Sequence, residues 1–204
     1  MKKKILIKKS KKMADSTKMD NQYVQQGEVC VLASYALIIN YFSEGELSVE
    51  EILNRYAGHG KIDISVSQIN KENKIKEHYY IEAGSERGFN YIACNLHNGN
   101  VIDTRKYCQV IAHNAELEAI SDKEKEELKD KLKENDRIVM CLFPSSHGYY
   151  HACVFGWDND EREYFTRDPQ NGKIDKIDYS RDILKEKIIT EYILFEKGNK
   201  DSVE

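Results

Sequence analysis

The chain has 204 residues, 40% hydrophobic and 32% charged, with only two prolines and eleven glycines. This composition excludes collagen-like, linker-like and most disordered proteins. The length suffices for one well-formed hydrophobic core, so we expect a single globular domain.

The charge is distributed unevenly along the chain. Of the 31 basic and 35 acidic residues, seven lysines and no acid fall within residues 1–12. The remainder has 24 basic against 35 acidic residues, a net charge of -11. Nucleic-acid phosphates repel so acidic a body, and no nucleic-acid partner is expected. We therefore predict a disordered basic extension at 1–20, one domain at 21–197 and a tail at 198–204.

Targeting signals and cysteine usage indicate the compartment. The apolar stretch at 5–7 is much shorter than the roughly 7–15 residues of a secretory signal. No apolar run approaches the roughly 20 residues of a membrane span. Five cysteines without a CxxC pair fit neither a disulfide framework nor a zinc ribbon. We expect free thiols and a cytoplasmic protein, or one exported without a recognisable Sec signal.

Three segments carry helix signals. Residues 30–42 are almost wholly apolar, without glycine or proline, which favours a buried helix over a strand. The other two begin with capping boxes, in which a serine and a glutamate three residues later satisfy each other's backbone amides. These boxes are Ser48 with Glu51 and Ser121 with Glu124, and the expected stops are Gly58 and Asn135.

The second half of the chain changes to strand patterns. Strands are predicted at 137–143, 149–157, 162–167 and 190–196. Between 61 and 115 the periodicity is mixed, and only 91–94 and 109–112 resemble strands. A helical first half packed on a mainly antiparallel sheet is an α+β fold.

Three residues in these elements could act together. Cys30 opens the first helix, where the positive end of the helix dipole favours thiolate over thiol. A nucleophilic thiol needs a base within hydrogen-bond reach, and the base needs a third group to orient it. His151 and Asp168 lie on consecutive predicted strands. A turn centred between residues 159 and 160 would place them opposite each other to within one residue.

An oxyanion formed during thiol attack would need hydrogen-bond donors. The Cys30 backbone amide is one, and a side-chain amide a few residues earlier is a second. Gln25 and Gln26 both qualify, and the sequence leaves the choice open, with a slight preference for Gln25 because of its longer spacer.

These motifs resemble the papain-like cysteine peptidases, most closely their bacterial C39-like branch. The resemblance covers roughly residues 22–43 and 137–172, and its motifs are QQGEVC, YHACVFGWD and RDPQNG. It implies a papain-like fold and hydrolysis of a peptide or isopeptide bond in a peptide or protein substrate, without a cofactor. By this resemblance Cys30 would be the nucleophile, His151 the general base and acid, and Asp168 the orienting carboxylate. Gln25 or Gln26 would be the oxyanion donor.

The sequence departs from the family at two places near the cysteine. The family's glutamine commonly stands six residues before its cysteine, where this chain has Val24. Glycine or tryptophan often adjoins the family's cysteine, whereas Val29 and Val31 flank Cys30 here.

Other functions share these residues. Transglutaminase-like or arylamine-acetyltransferase-type acyltransferases and deamidases use the same Cys-His-Asp order, and a catalytically inactive binding protein would keep the fold alone. A metal site from His147, His151 and Cys153 lacks a second ligand pair at recognised spacing, so no metal is predicted. The remaining cysteines are expected to be small core residues, with Cys153 on the same strand face as His151. The sequence leaves the oligomeric state open.

Overall fold

The computed structural model describes residues 30–57, 102, 104–114, 118–144, 150–170, 184 and 187–198, together with the backbone of 64–71 and 74–81. Its helices are α1 (Cys30–Phe42), α2 (Val49–Ala57) and α3 (Asp122–Leu132), with a short 3₁₀ helix at Thr104–Lys106. Its strands are β1 (Ile64–Lys71), β2 (Lys74–Ile81), β3 (Cys108–Asn114), β4 (Arg137–Pro144), β5 (Tyr150–Asp158), β6 (Glu163–Arg167) and β7 (Glu191–Lys197).

Five of these strands form one antiparallel sheet in the order β3-β7-β4-β5-β6, and β1 and β2 form a separate antiparallel hairpin. The predicted α+β class is confirmed, since helices and an antiparallel sheet share the core. Among the residues that the structure describes, no helix is long and apolar enough to cross a membrane.

The sheet is covered on both faces. Alternate residues of β4 point to opposite sides, so Ile138 and Met140 pack with α1 and α2, whereas Val139 and Cys141 pack with α3. All four side chains are fully buried. A strand buried on both faces has no polar alternation, which explains why 137–143 is a continuous apolar run.

The helix signals in the sequence correspond closely to the observed helices. The first helix has the predicted bounds, Cys30–Phe42. The box at Ser121 is complete, with Glu124 N–H donating to Ser121 Oγ at 3.3 Å and Ser121 N–H donating to Glu124 Oε2 at 2.8 Å. At Ser48 the hydroxyl accepts from Glu51 N–H at 3.1 Å, while the Glu51 carboxylate pairs with Arg55.

Two helix stops need comment. Helix α3 ends at Leu132, three residues before Asn135, which adopts a left-handed φ of 53° in the turn that follows. Gly58, the expected stop of α2, lies outside the described residues.

The first half is less helical than predicted, because it also contains β1, β2 and β3. Predicted strand 109–112 lies within β3, and predicted strand 91–94 lies outside the described residues. In the hairpin, Lys71 pairs with Lys74, so two residues connect the strands. Those residues are Glu72 and Asn73 rather than the Asn-Gly that marks such turns, and the strands are rich in polar residues. The sequence therefore gave little sign of this hairpin.

Candidate active site

The Cys30 thiol lies at the first residue of α1 and is partly exposed, whereas the helix is buried from Leu32 onward. One turn further along the helix, the buried Ser34 hydroxyl donates to the carbonyl oxygen of Ala152 in β5 at 3.2 Å. This bond fixes the beginning of α1 against the strand that carries His151. The thiol consequently lies where the helix leaves the core.

The imidazole of His151 lies near the beginning of β5, with its side chain 12% exposed. Its Nε2 is 2.8 Å from Oδ1 of Asp168, so the predicted imidazole–carboxylate contact is present. The ring of Phe143 packs edge-on against it, with ring centroids 5.6 Å apart. With Nε2 engaged by the carboxylate, Nδ1 is the ring nitrogen available to exchange a proton with a thiol.

Asp168 immediately follows the last residue of β6, and its environment fixes it in place. Besides contacting His151, its Oδ1 accepts the backbone N–H of Gln170 at 2.8 Å. The Arg167 guanidinium donates to the Asp168 carbonyl oxygen at 2.9 Å. The carboxylate is therefore held in one orientation by the turn that carries it.

The turn between β5 and β6 differs from the predicted one by one residue. Asp158 pairs with Glu163, which centres the turn between residues 160 and 161 instead of between 159 and 160. The Asp158 carboxylate accepts two backbone N–H groups inside the turn, from Asp160 at 2.9 Å and Glu161 at 3.0 Å. These bonds stabilise the turn at its observed position, one residue later than the predicted one.

This shift changes which residues are opposite each other but not which face they share. Moving the turn centre by one residue moves every partner by two, and alternate strand residues share a face. Continued by one residue past β6, the register places Asp168 opposite Cys153. His151 and Asp168 are therefore diagonal neighbours. The sequence predicted that they lie opposite each other to within one residue. The observed offset is two residues, so this prediction was wrong.

The charges of the His151–Asp168 pair stabilise each other. Burial by itself lowers the pKa of His151, but hydrogen bonds to Asp168, Cys153 and Cys30 more than offset it and raise the pKa to about 12. Burial raises the pKa of Asp168, yet the contact with His151 and the Gln170 amide bring it below its ordinary value of 3.8. The favoured state is an imidazolium beside a carboxylate, with two thiols in reach of the imidazolium.

Cys153 is a member of this cluster whose contacts the sequence did not predict. Its buried thiol lies beside both other side chains, with one ligand atom each of His151, Cys153 and Asp168 within 4.8 Å of the others. Burial raises its pKa to about 11, despite the opposing effect of His151. The strand spacing of two residues predicted the shared face, but the contact with Asp168 depends on the observed turn register.

The same cluster is the set that could hold a metal ion. One ligand atom each from His151, Cys153 and Asp168 lies within 4.8 Å of the others. This set differs from the one considered in the sequence, because His147 lies outside the described residues. Two ligands on a tetrahedral zinc are about 3.3 Å apart, whereas Nε2 and Oδ1 are 2.8 Å apart. That spacing suits a shared proton better than a shared metal.

The remaining predicted site residues and cysteines are placed as follows. Gln25 and Gln26, the candidate oxyanion donors, lie outside the described residues, as does Cys94. Cys108 and Cys141 are buried, as expected of core thiols. Burial raises the pKa of both. Among the cysteines that the structure describes, Cys30 is the one whose side chain is not fully buried.

We compared the chain with protein-family models, with curated proteins and with solved structures, and none of the three comparisons returned a match.

Proposed function

We propose that this protein is a cysteine peptidase with a papain-like fold, which hydrolyses a peptide or isopeptide bond through an acyl-enzyme on Cys30. One observation carries the proposal. A partly exposed thiol at the beginning of a buried helix lies near enough to a histidine to raise its pKa, and a carboxylate contacts that histidine at Nε2. Thiol catalysis requires a nucleophile, a base that exchanges a proton with it, and a group that orients the base.

The chemistry proceeds in two halves. In the first, Cys30 Sγ attacks the carbonyl carbon as a thiolate that is paired with protonated His151. The tetrahedral intermediate collapses, the carbon–nitrogen bond breaks, and the imidazolium gives its proton to the leaving amine. In the second, neutral His151 takes a proton from water, and the hydroxide oxygen attacks the thioester. The carbon–sulfur bond breaks, the acid is released, and the thiolate is restored beside His151, which keeps the proton taken from water.

The remaining groups have supporting roles in this proposal. Asp168 holds the imidazole with Nδ1 toward the thiol throughout the cycle, as its 2.8 Å contact with Nε2 allows. The Cys30 backbone N–H, free of a helical partner at the first position of α1, stabilises the developing oxyanion. A side-chain amide from Gln25 or Gln26 is the second donor.

The decisive experiment maps the residue labelled by a peptidyl vinyl sulfone. We expect one adduct per chain, on Cys30, and a loss of labelling of at least about a hundredfold in His151→Gln, in keeping with the contribution of a general base. The Cys108→Ser variant is the matched control, since that thiol is remote and buried, and its labelling rate should equal that of the parent. Adducts on Cys94 or Cys141 with Cys30 untouched would overturn the proposal.

A second measurement separates hydrolysis from acyl transfer. An acyl-enzyme trapped on Cys30 is offered water alone, or water with an excess of a primary amine, and the products are identified by mass spectrometry. Predominant release of the free acid in both cases supports a peptidase. Predominant amide formation would indicate the transglutaminase-like or acetyltransferase-like alternative. A Cys30 no more reactive toward iodoacetamide than a small free thiol would indicate a binding protein without the chemistry.

A further inference from the structure

Glu191, at the first position of β7, carries a buried carboxylate. The residue is 5% exposed, and its Oε2 has no hydrogen-bond partner. Glutamate is almost never buried to this degree unless it is paired, and an unpartnered buried polar atom calls for an explanation. Burial raises the pKa of Glu191.

Residues that pair laterally across neighbouring strands form a row of the sheet, and Glu191 lies in the row next to that of His151. It pairs with Leu142 of β4, and Leu142 pairs with Ala152 of β5, the neighbour of His151. Two strand spacings separate Glu191 from Ala152, about 10 Å. Glu191 shares a strand face with Ile193 and Phe195, which pack in the core with α1. Its side chain is therefore on the face that carries the nucleophile helix.

The direction of α1 places its N-terminal end over this row. At the far end of the helix, the Tyr41 hydroxyl donates to Asp136 at 2.6 Å, immediately before β4 begins. At the near end, Ser34 bonds Ala152, in the row of Glu191. Cys30 is one helical turn, about 5.4 Å, further toward that end of the sheet. The carboxylate of Glu191 is thus on the same face of the sheet as Cys30.

The walls of this position are apolar. Leu142 and Ala152, which complete its row, belong to the core packed with α1. A carboxylate in apolar surroundings binds an ammonium or guanidinium group strongly, because water does not compete with the charge-assisted hydrogen bonds. The net charge of -11 on residues 13–204 would also draw a cationic peptide toward the protein.

We propose that Glu191 determines specificity by binding the positively charged side chain of a lysine or arginine near the scissile bond. This inference rests on the proposed peptidase function and adds the substrate class to it. The bound cation supplies the partner that Glu191 Oε2 lacks in the free protein.

The test uses matched pairs of tripeptidyl vinyl sulfones that contain arginine or its uncharged analogue citrulline at each of the three residue positions in turn. At one position, we expect the arginine probe to label Cys30 at least about tenfold faster than the citrulline probe. In Glu191→Gln the two rates should become equal. Glu196→Gln is the matched control on the same strand, because the Glu196 carboxylate already accepts a hydrogen bond from Arg137 at 2.8 Å. This variant should keep the preference for the arginine probe.

The outcomes distinguish this inference from the proposed function. Labelling of Cys30 without charge preference at any position, or with a preference that survives in Glu191→Gln, overturns the inference alone. No labelling of Cys30 by any probe overturns the proposed function. Glu191→Met, which removes the charge and the polar atoms, replaces the glutamine variant if that one does not fold.

A binding measurement tests the role of Glu191 in a protein that lacks the Cys30 thiol. Acetyl-arginine amide and acetyl-citrulline amide are titrated into the Cys30→Ala protein and into the same protein with Glu191→Gln. Saturable binding of the arginine compound alone, lost in the double variant, supports the inference. Equal binding of the two compounds, or of arginine to both proteins, overturns it.

Discussion

The Ser34 hydroxyl donates to the Ala152 carbonyl oxygen at 3.2 Å, across an interface in which both residues are fully buried. Ser34 lies one helical turn after Cys30, and Ala152 directly follows His151. One bond thus links the segment that carries the thiol to the strand that carries the imidazole. The separation of the two groups depends on how α1 is seated on β5.

Removing this link in Ser34→Ala should lower both stability and thiol reactivity. We expect a loss of about 1 kcal/mol in the free energy of unfolding, the usual net value of one hydrogen bond. The rate of Cys30 labelling by a vinyl sulfone should fall several-fold, because the first turn of α1 loses its anchor. Urea denaturation and labelling kinetics measure the two effects.

Ser43→Ala is the control for that variant. Ser43 is also buried, and its hydroxyl donates to the Asn40 carbonyl oxygen at 3.0 Å, at the opposite end of α1. Its hydroxyl also accepts from Leu47 N–H at 3.3 Å, so the variant should lose at least as much stability as Ser34→Ala, without a change in labelling rate. If both variants lowered the labelling rate equally, the bond to Ala152 would have no special role in seating the thiol.

The Asp168→Asn variant should lower the pKa of His151. In the parent protein, the carboxylate and two thiols raise this pKa to about 12 despite burial. An amide cannot stabilise the imidazolium in the same way, and burial would then act to lower the pKa. The His151 ring proton, followed by NMR, should stay in its protonated position through pH 8 in the parent and titrate in the variant.

Asp158→Asn controls for the loss of an aspartate in the same pair of strands. Asp158 caps the turn between β5 and β6 through two backbone N–H groups. Asparagine keeps an acceptor oxygen for these bonds, so this variant should leave the His151 titration unchanged. A His151 that titrates near 6.5 in the parent would contradict the assignment of an imidazolium–carboxylate pair.

The same pair should affect how stability varies with pH. His151 has a folded pKa above its ordinary value of 6.5, so its contribution is present below that pH and is lost as the pH rises toward about 12. Asp168 has a folded pKa below 3.8, so its contribution is present above that value and is lost on acidification. The pair therefore stabilises the fold most between about pH 4 and pH 6.5.

Urea denaturation at about pH 6 and about pH 9 provides the measurement. The free energy of unfolding of the parent should decrease more over this interval than that of Asp168→Asn. Other groups that titrate in the interval are common to both proteins and cancel in the comparison. Equal decreases would show that the pair does not contribute in this range.

Alkylation should distinguish the thiols in the native protein. Burial raises the pKa of Cys108 and Cys141, and it raises that of Cys153 to about 11. At neutral pH these three should react with iodoacetamide at least about a hundredfold more slowly than Cys30, since thiolate is the reactive form. Peptide mapping after brief treatment measures each site, and full denaturation should make them equally reactive. Rapid native labelling of Cys141 would contradict the buried sheet.

Gly156→Ala should destabilise the sheet through a steric clash. A Cβ at this position would lie 2.4 Å from the Phe165 ring and 2.8 Å from Ile138 Cδ1. These residues are the direct partners of Gly156 on the neighbouring strands β6 and β4. We expect a loss of about 1–3 kcal/mol in the free energy of unfolding, as for overpacked cores. A variant as stable as the parent would show that the ring can move aside.

The elements predicted well are those with short-range causes. Helix α1 follows from thirteen consecutive residues without a breaker, and the Ser121 box depends on contacts three residues apart. The hairpin at 64–81 was missed because its connection lacks the glycine that marks a two-residue turn. A polar pair of strands with such a connection gives the sequence almost no periodic signal.

The sequence by itself determined the order and type of the site residues: a cysteine opening an apolar helix, then a histidine and an aspartate on consecutive strands. It also determined that His151 and Cys153 share a face of β5, because that depends only on the strand period of two. The pairing of β5 with β6 decided that the imidazole and carboxylate meet diagonally, since Asp158 pairs with Glu163.

Tertiary structure also decided where Glu191 lies. The residue is 40 positions from His151 in the sequence, and only the order β7-β4-β5 brings their rows together. Strand order depends on backbone hydrogen bonds between distant segments, which local propensity and periodicity do not encode. Local patterns therefore specify which groups this protein presents, and the pairing of its sheet specifies which of them are neighbours.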